Sequence, residues 1–487
     1  MMLTALLLTP LVAIALIGLL PRAAAARWLT LAALLTQLVI ALVLAALFDS
    51  SQGGFQFVEK YAWMPGLNIH YHLGVDGFSL LFLPATALLA GGVLITSWHA
   101  MQGRPRLYCS LLLLLEMASI GVFCALDTIL FYLFWELTLA PLFFLVSVFG
   151  CGPGRRHAAV KYVMVMLAGG VALLFGFLVL AFAAAEVAGG GLVFDLPLLL
   201  QTSLDIDTQI LVLLLLLLGF AVKTPLLPLH SWLPLMAMEG PPAVIAMITG
   251  LKLGAWGLLR FAAPLAPQAA QQLHWLLAGL AVATLIYGAF AALAQSNLRR
   301  MLAYASMSHV GLVVLGIASF NQQGAEGAVL QLLTFTLAAG GLFLLTAQLH
   351  QRTGVTEVAG LGGAAAAMPQ LAALMLFFGL ISIGLPGGSG FIAELLIIIS
   401  TFDHHAGAGL AALAVTILGA AAFISLYRRI FQGPPQRDIV RQAQDLQPRE
   451  LAIALIFAAP LLLFGLWPAP IFNILRPAAI AWLAAFS

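Results

Sequence analysis

Apolar residues run on for about twenty positions at a time along most of this chain, with short polar breaks between the runs. A membrane-crossing helix needs about 20 consecutive, mainly apolar residues. On that rule the pattern predicts spans near 2–20, 28–48, 76–98, 108–125, 127–149, 159–184, 209–234, 241–262, 271–294, 302–319, 326–349, 367–403, 408–431 and 451–485. The stretch 367–403 is too long for one straight helix and requires a break, while 451–485 accommodates one span and an interfacial tail. The expected fold is an all-α polytopic membrane protein of about fourteen transmembrane helices. Linkers of some twenty residues leave no room for a soluble domain. The first run carries no basic leader and no small-residue cleavage site, so it is expected to stay as the first span.

Composition agrees. Hydrophobic residues make up 63% of the 487 positions and charged residues 8%, against about 25% charged in soluble proteins. That excludes an ordinary soluble enzyme. A net charge of +2 gives no reason to expect a nucleic-acid partner. Cys109, Cys124 and Cys151 are too few and too scattered for a zinc or iron–sulfur ligand set. Neither a phosphate-binding loop nor a dinucleotide fingerprint occurs, so no nucleotide or redox cofactor and no metal are expected in this chain.

The basic residues then orient the spans. Arg22 and Arg27 follow span one, Arg104 and Arg106 span three, and Arg155, Arg156 and Lys161 span five. Arg299 and Arg300 follow span nine, Arg352 span eleven, and Arg428, Arg429, Arg437, Arg441 and Arg449 span thirteen. Fifteen of the twenty Lys and Arg thus fall on odd-numbered loops, whereas the loop 186–208 holds four acids and no base. Cytoplasmic loops are the ones enriched in Lys and Arg. Both termini are therefore expected on the outer side.

Few charges remain inside the spans: Glu116 in span four, Glu136 in span five, Lys223 in span seven, Lys252 in span eight and Glu394 in span twelve, with His230 and His309 as buried histidines. At about 3 kcal/mol each, five unpaired charges would cost on the order of 15 kcal/mol. They must pair, neutralise or line water. Structural ion pairs, with Glu136 on Lys223, are one arrangement, yet a buried pair is weak evidence of stability. Their spread over six helices favours a relay. Glu116 fits a relay or a simple helix-interface contact, and Asp127 is expected to cap span five.

Two spans carry breaks beside these charges. In Lys223-Thr224-Pro225-Leu226-Leu227-Pro228-Leu229-His230 two prolines interrupt span seven. In Gly384-Leu385-Pro386-Gly387-Gly388-Ser389-Gly390-Phe391, before Glu394, one proline and four glycines interrupt span twelve. Such breaks occur at membrane depth where protein or trapped water re-satisfies the backbone, and matched pairs of them mark ion-transport sites. The glycine run is also compatible with a tight helix crossing.

Phe131-Tyr132-Leu133-Phe134-Trp135-Glu136-Leu137, the Lys223–Pro234 stretch, Asn297–Gly311 and Gly384–Glu394 together resemble the antiporter-like subunits of respiratory NADH:quinone oxidoreductase, complex I. The resemblance runs from about Gly74 to Arg429. Gly74-Val75-Asp76-Gly77 and the absence of a long lateral helix after span fourteen point to the chain M (subunit 4) branch of that family. It implies two inverted five-helix repeats: 1–107 would hold spans one to three, 108–262 the first repeat, 271–431 the second, and 432–487 the last loop and span. By the same resemblance Glu136 tunes Lys223, Lys223 takes a proton from the cytoplasmic side, and His230 belongs to the connecting water path. Lys252 is the central relay, His309 the bridge into the second half, and Glu394 the releasing group. Protons and the lipid bilayer would be this chain's partners, along with other membrane-arm subunits of a bacterial inner-membrane complex. NADH, flavin, iron–sulfur clusters and quinone would reside in those neighbours.

Three departures stand out. Leu235-Met236-Ala237 replaces the family's polar stretch after Trp-Leu-Pro, Lys223 to Lys252 is two residues shorter, and Phe335 stands where a histidine is common. With that stepping stone gone, water or His309 must bridge Lys252 and Glu394. Related multisubunit cation/proton antiporters, hydrogenase- or inorganic-carbon-uptake-coupled complexes, and a purely structural scaffold are the competing expectations.

Overall fold

The computed structural model describes all residues except 20–23, 102, 436 and 487. Its spans, in chain order, are α1 (Met2–Leu19), α2 (Ala25–Leu47), α3 (Phe82–Thr96), α4 (Pro105–Cys124), α5 (Thr128–Phe149), α6 (Arg155–Ala188) and the interrupted α7a (Ile206–Lys223) and α7b (Trp232–Glu239). There follow α8a (Pro242–Leu251), α8b (Leu253–Gly257, continued by a π turn over Leu258–Ala262), α9 (His274–Leu293), α10 (Leu298–Ala318) and α11 (Gln322–Thr353). The interrupted α12a (Pro369–Ser382) and α12b (Ser389–Phe402), α13 (Ala406–Phe431), α14 (Pro448–Leu466) and α15 (Ala469–Leu483) complete the chain. Among the described residues thirteen helices are long and apolar enough to cross a membrane; α3, α12a and α12b are apolar but shorter. The fold is thus the polytopic helical one, and the breaks fall in spans seven and twelve as expected.

One segment departs from helix. Gln56–Met64 (β1) and Ile69–Val75 (β2) form an antiparallel hairpin, so span three begins at Phe82, not at Asp76. The hairpin marks one face of the molecule. Asp195 fixes it there, accepting hydrogen bonds from Lys60 Nζ at 2.6 Å and His72 Nδ1 at 2.9 Å. Burial raises the Asp195 carboxyl, but these two partners outweigh it and hold the group down at about 2. Asp127 caps α5 as expected, through the Ile129 and Leu130 amides, and also accepts from His70 N.

Tracing the helices from this face gives a strict alternation. The α3–α4 turn is tied by Tyr108 to Ser97, and the α5–α6 turn meets the α7b–α8a turn through Gly154 N on Glu239. Arg299 of α10 donates to Gly240 O and Cys151 Sγ in the same region. All the odd-loop basic residues named above reach this opposite face, except that Arg22 lies outside the described residues. The last helix, α15, lies over the hairpin-side ends of its neighbours, with Trp482 donating to Leu259 O, stacking with Phe320, and Arg476 reaching Glu326.

Lipid offers no hydrophobic drive for helix association, so small residues set the close contacts. Gly169 and Gly219 let α6 and α7a cross backbone to side chain, and Gly288 meets Ser308 where α9 crosses α10. Helix α11 is buried along its apolar length and forms the centre. Apolar side chains such as Met164, Phe175 and Phe182 on α6 and Ile417 on α13 point outward.

Candidate functional site

Lys223 is the last residue of α7a because Pro225 and Pro228 cannot continue the helix. The freed backbone groups are recovered locally: Trp232 Nε1 donates to Val222 O at 2.9 Å, and Leu227 N to Thr284 Oγ1 at 3.0 Å. Lys223 Nζ donates to Thr138 Oγ1 at 2.8 Å and Trp135 O at 3.0 Å, and sits 3.9 Å from the centre of the Trp135 ring. All three contacts come from α5, at the point where that helix is interrupted around Thr138. The indole face favours a cation.

Glu136 does not form the direct ion pair with Lys223 that one sequence arrangement expected. No nitrogen–oxygen contact within 4.0 Å links them among the described residues. Both Glu136 oxygens are buried without a hydrogen-bond partner, and Oε1 occupies the space left by the absent side chain of Gly170 on α6.

Lys252 lies at a third break, which the sequence did not announce with any proline. It is left-handed, with φ 49°, and splits α8a from α8b. A non-glycine residue in that region costs on the order of 1–3 kcal/mol and persists where its surroundings enforce it. Here the side chain is buried, and Nζ donates to both Ser306 O and Ser306 Oγ on α10. One turn further along α10, His309 Nδ1 lies 3.6 Å from Glu394 Oε1. Gln331 Nε2 of α11 donates to the same oxygen at 3.4 Å. The file therefore runs from Lys252 through Ser306 and His309 to Glu394, from one broken helix to the next.

Phe335 lies against the His309 ring, centroids 4.3 Å apart. His309 thus stands between Phe335 and the Glu394 carboxylate. A cavity of about 40 Å³ follows the file, bordered by Ser306, His309, Phe335, Ser382 and Glu394. A second, of about 30 Å³, is bordered by Ser119, Thr138, Tyr162 and Lys223, and reaches Leu251 and Leu253 on either side of Lys252. Each exceeds the roughly 10–15 Å³ that one water requires.

Two expected members stand elsewhere. His230 packs edge-on against Tyr287 of α9, centroids 4.8 Å apart, and borders neither cavity. Glu116 accepts from Gln37 Nε2 of α2 at 2.8 Å, while its neighbours Leu115 and Ser119 are the α4 residues that line the Lys223 cavity. Helical rotation turns Glu116 away from the axis. Leu235, Met236 and Ala237 form part of α7b, with Met236 and Ala237 buried.

Sequence reasoning passes over three further charges. Arg260, in the π turn, pairs with Asp76 and lies between the Trp256 and Phe55 rings. Glu326 is 4% exposed in the second turn of α11. Arg260 and Glu326 lie near span ends, where a charge reads as a loop residue; the short spacing from Arg260 to Trp256 was the available signal.

The comparisons with known proteins agree with this fold. Residues 125–419 match the family described as NADH:quinone oxidoreductase/Mrp antiporter, transmembrane. NADH-quinone oxidoreductase subunit M of Rhodobacter capsulatus is 35% identical over 460 residues, covering 93% of this chain and 89% of that protein. NAD(P)H-quinone oxidoreductase chain 4 of a Synechococcus species is 37% identical over 478 residues, covering 96% and 89%. Among solved structures, a chain of respiratory complex I from Thermus thermophilus superposes with a TM-score of 0.91 at 32% identity over 100% of both chains. A chain of the Mrp complex from Dietzia sp. gives 0.85 at 24% identity, covering 100% of this chain and 99% of that one, which shows a shared fold. With the helical frame, the two interrupted spans and these similarities together, the chain belongs to the NADH:quinone oxidoreductase/Mrp antiporter transmembrane family.

Proposed function

We propose that this chain is a proton-translocating membrane-arm subunit of an NADH:quinone oxidoreductase in a bacterial inner membrane. The observation that carries the reading is the Lys252–Ser306–His309–Glu394 file, which joins a break in α8 to the break in α12 through buried polar groups. Its basic face lies in the cytoplasm and both termini in the periplasm, following the distribution of Lys and Arg. Residues 108–262 and 271–431 act as two inverted halves. NADH, flavin, iron–sulfur clusters and quinone belong to partner subunits; this chain moves protons while its neighbours move electrons.

In this reading Lys223 accepts a proton from the cytoplasmic side, with Glu136 adjusting how tightly it is held. The proton charge passes to Lys252 across the cavity bordered by Leu251 and Leu253. From Lys252 it moves through Ser306 and His309 to Glu394. A lysine can serve in both directions because a neighbouring positive charge discourages its protonated form and a neighbouring negative charge favours it. Lys223→Ala and, separately, Glu394→Gln should each lower protons pumped per electron in membrane vesicles while the complex assembles and reduces quinone. Unchanged pumping in both would refute the relay. Sodium-dependent pH changes without NADH would instead assign the chain to a cation/proton antiporter.

A further inference from the structure

The cavity along His309 and Glu394 is walled in part by α9 and α13: Leu285 and Ala289 of the first helix and Val415, Thr416 and Gly419 of the second border it. These two helices pack against each other. Lipid supplies no hydrophobic drive for that contact, so van der Waals packing and polar links carry it. Among the described residues one polar side-chain link joins the pair. At their hairpin-side ends His274, the first residue of α9, meets His405, the residue before α13, with His274 Nδ1 3.0 Å from His405 Nε2.

The backbone fixes His405 in its turn. Its N–H donates to Thr401 O at 2.8 Å, and its C=O accepts from Gly409 N at 3.0 Å. The two rings lie with centroids 4.8 Å apart, and both are partly exposed, within reach of protons from the hairpin side. Few other charges stand near. Asp403 and His404 precede His405 in the same turn and are exposed. Helix α9 holds no other Asp, Glu, Lys, Arg or His, the segment 267–272 adds only glutamines, and Arg428 and Arg429 stand at the far end of α13. On α12b the next charge back is Glu394, inside the protein. Burial, with His274 and His404 beside it, pushes the His405 imidazole down.

Two imidazoles at this distance share one proton between them. Neutral rings form an N–H···N bond, and one added proton keeps it, as imidazolium donating to imidazole. A second added proton turns both facing nitrogens into donors and sets two positive rings against each other. We propose that His274 and His405 form a proton-operated clasp between α9 and α13, closed with at most one added proton and released when the hairpin side supplies a second. The closed clasp resists that second proton, so it is fully present above the ordinary histidine value of about 6.5 and is lost as the pH falls below it. Released, α13 keeps only apolar contact with α9, and the cavity wall beside the file loosens. His274 lies eleven residues before Leu285, about 16 Å along the axis, so the clasp acts through the helices and not by touching the file. In the proposed function the hairpin side receives the pumped protons, and the clasp is then a brake that outer acidity applies. The brake rests on that function; the clasp itself does not.

The test is hydrogen exchange in residues 406–412 of the assembled complex in lipid nanodiscs, at pH about 7.5 and about 5.5, on either side of the ordinary histidine value. After correction for the intrinsic pH dependence of exchange, the unaltered complex should exchange there severalfold faster at the lower pH. His405→Gln, which stays neutral, should show no such rise, and His404→Gln should behave like the unaltered complex. No rise in the unaltered complex, or an equal rise in His405→Gln, overturns the clasp. Should His405→Gln fail to assemble, His274→Gln takes its place with the same expectation. In vesicles whose outer-face side is acidified, protons pumped per electron should fall in the unaltered complex and hold in His405→Gln; an equal fall in both overturns the brake. If Glu394→Gln pumps normally the proposed function fails, while the exchange difference still reports the clasp.

Discussion

At the scale of single residues the chain places its charges where backbone geometry is irregular. Lys223 ends a helix, Lys252 occupies a left-handed position, and Glu394 follows a glycine-rich break whose Gly384 has φ 74°. Helix ends expose carbonyls and amides that regular helix would hide, so an ionisable group there finds partners without a second charge. Glu136 is different: it sits within α5 and depends on the space at Gly170. Gly170→Ala should force that carboxylate to move, at about 1–3 kcal/mol of overpacking, and lower proton pumping measured in vesicles. Gly279→Ala, at a position where an added carbon meets nothing within 4 Å, should leave pumping and thermal stability unchanged. Equal loss in both variants would show that Glu136 has no special need of the gap.

At the scale of elements, the legible parts were those that composition marks strongly. Long apolar runs gave the spans, and Pro225, Pro228 and Pro386 gave the breaks in α7 and α12. The break at Lys252 escaped because neither flanking residue, Leu251 nor Leu253, disfavours helix; its contact with Ser306 is a tertiary one. The hairpin escaped because its apolar residues, Phe57, Tyr61 and Trp63 in β1, only partly alternate and its charged residues Glu59 and Lys60 read as loop. Its attachment through Asp195 carries a testable pH dependence. The carboxyl is held at about 2, below its ordinary value near 3.8. The stabilisation it supplies is present in full above pH about 4 and is lost as the pH falls through 2. Asp195→Asn should weaken the anchoring by about 2 kcal/mol, the worth of a buried hydrogen bond to a charged group, read as faster hydrogen exchange in residues 56–75 at pH 7. Exchange as slow as in the unaltered protein would show that Asp195 does not anchor the hairpin.

At the scale of the whole molecule, the family was readable from the sequence because few charges are tolerated in lipid, and each one therefore carries information. Contacts between distant spans were not readable. Nothing local indicates that Glu116 turns to Gln37 rather than to the axis, that His230 rests on Tyr287, or that α15 lies across the ends of α10 and α11. These depend on helix rotation and on which small residues allow close approach.

The central claim is that Lys252 carries a proton and does not merely hold two halves together by its charge. Lys252→Arg separates the alternatives, since an arginine keeps the positive charge but does not release its proton in a protein. The measurement is protons translocated per electron in vesicles containing the assembled complex. A relay requires that ratio to fall in Lys252→Arg nearly as far as in Lys252→Met, with quinone reduction continuing in both. A ratio in Lys252→Arg equal to that of the unaltered complex would contradict it.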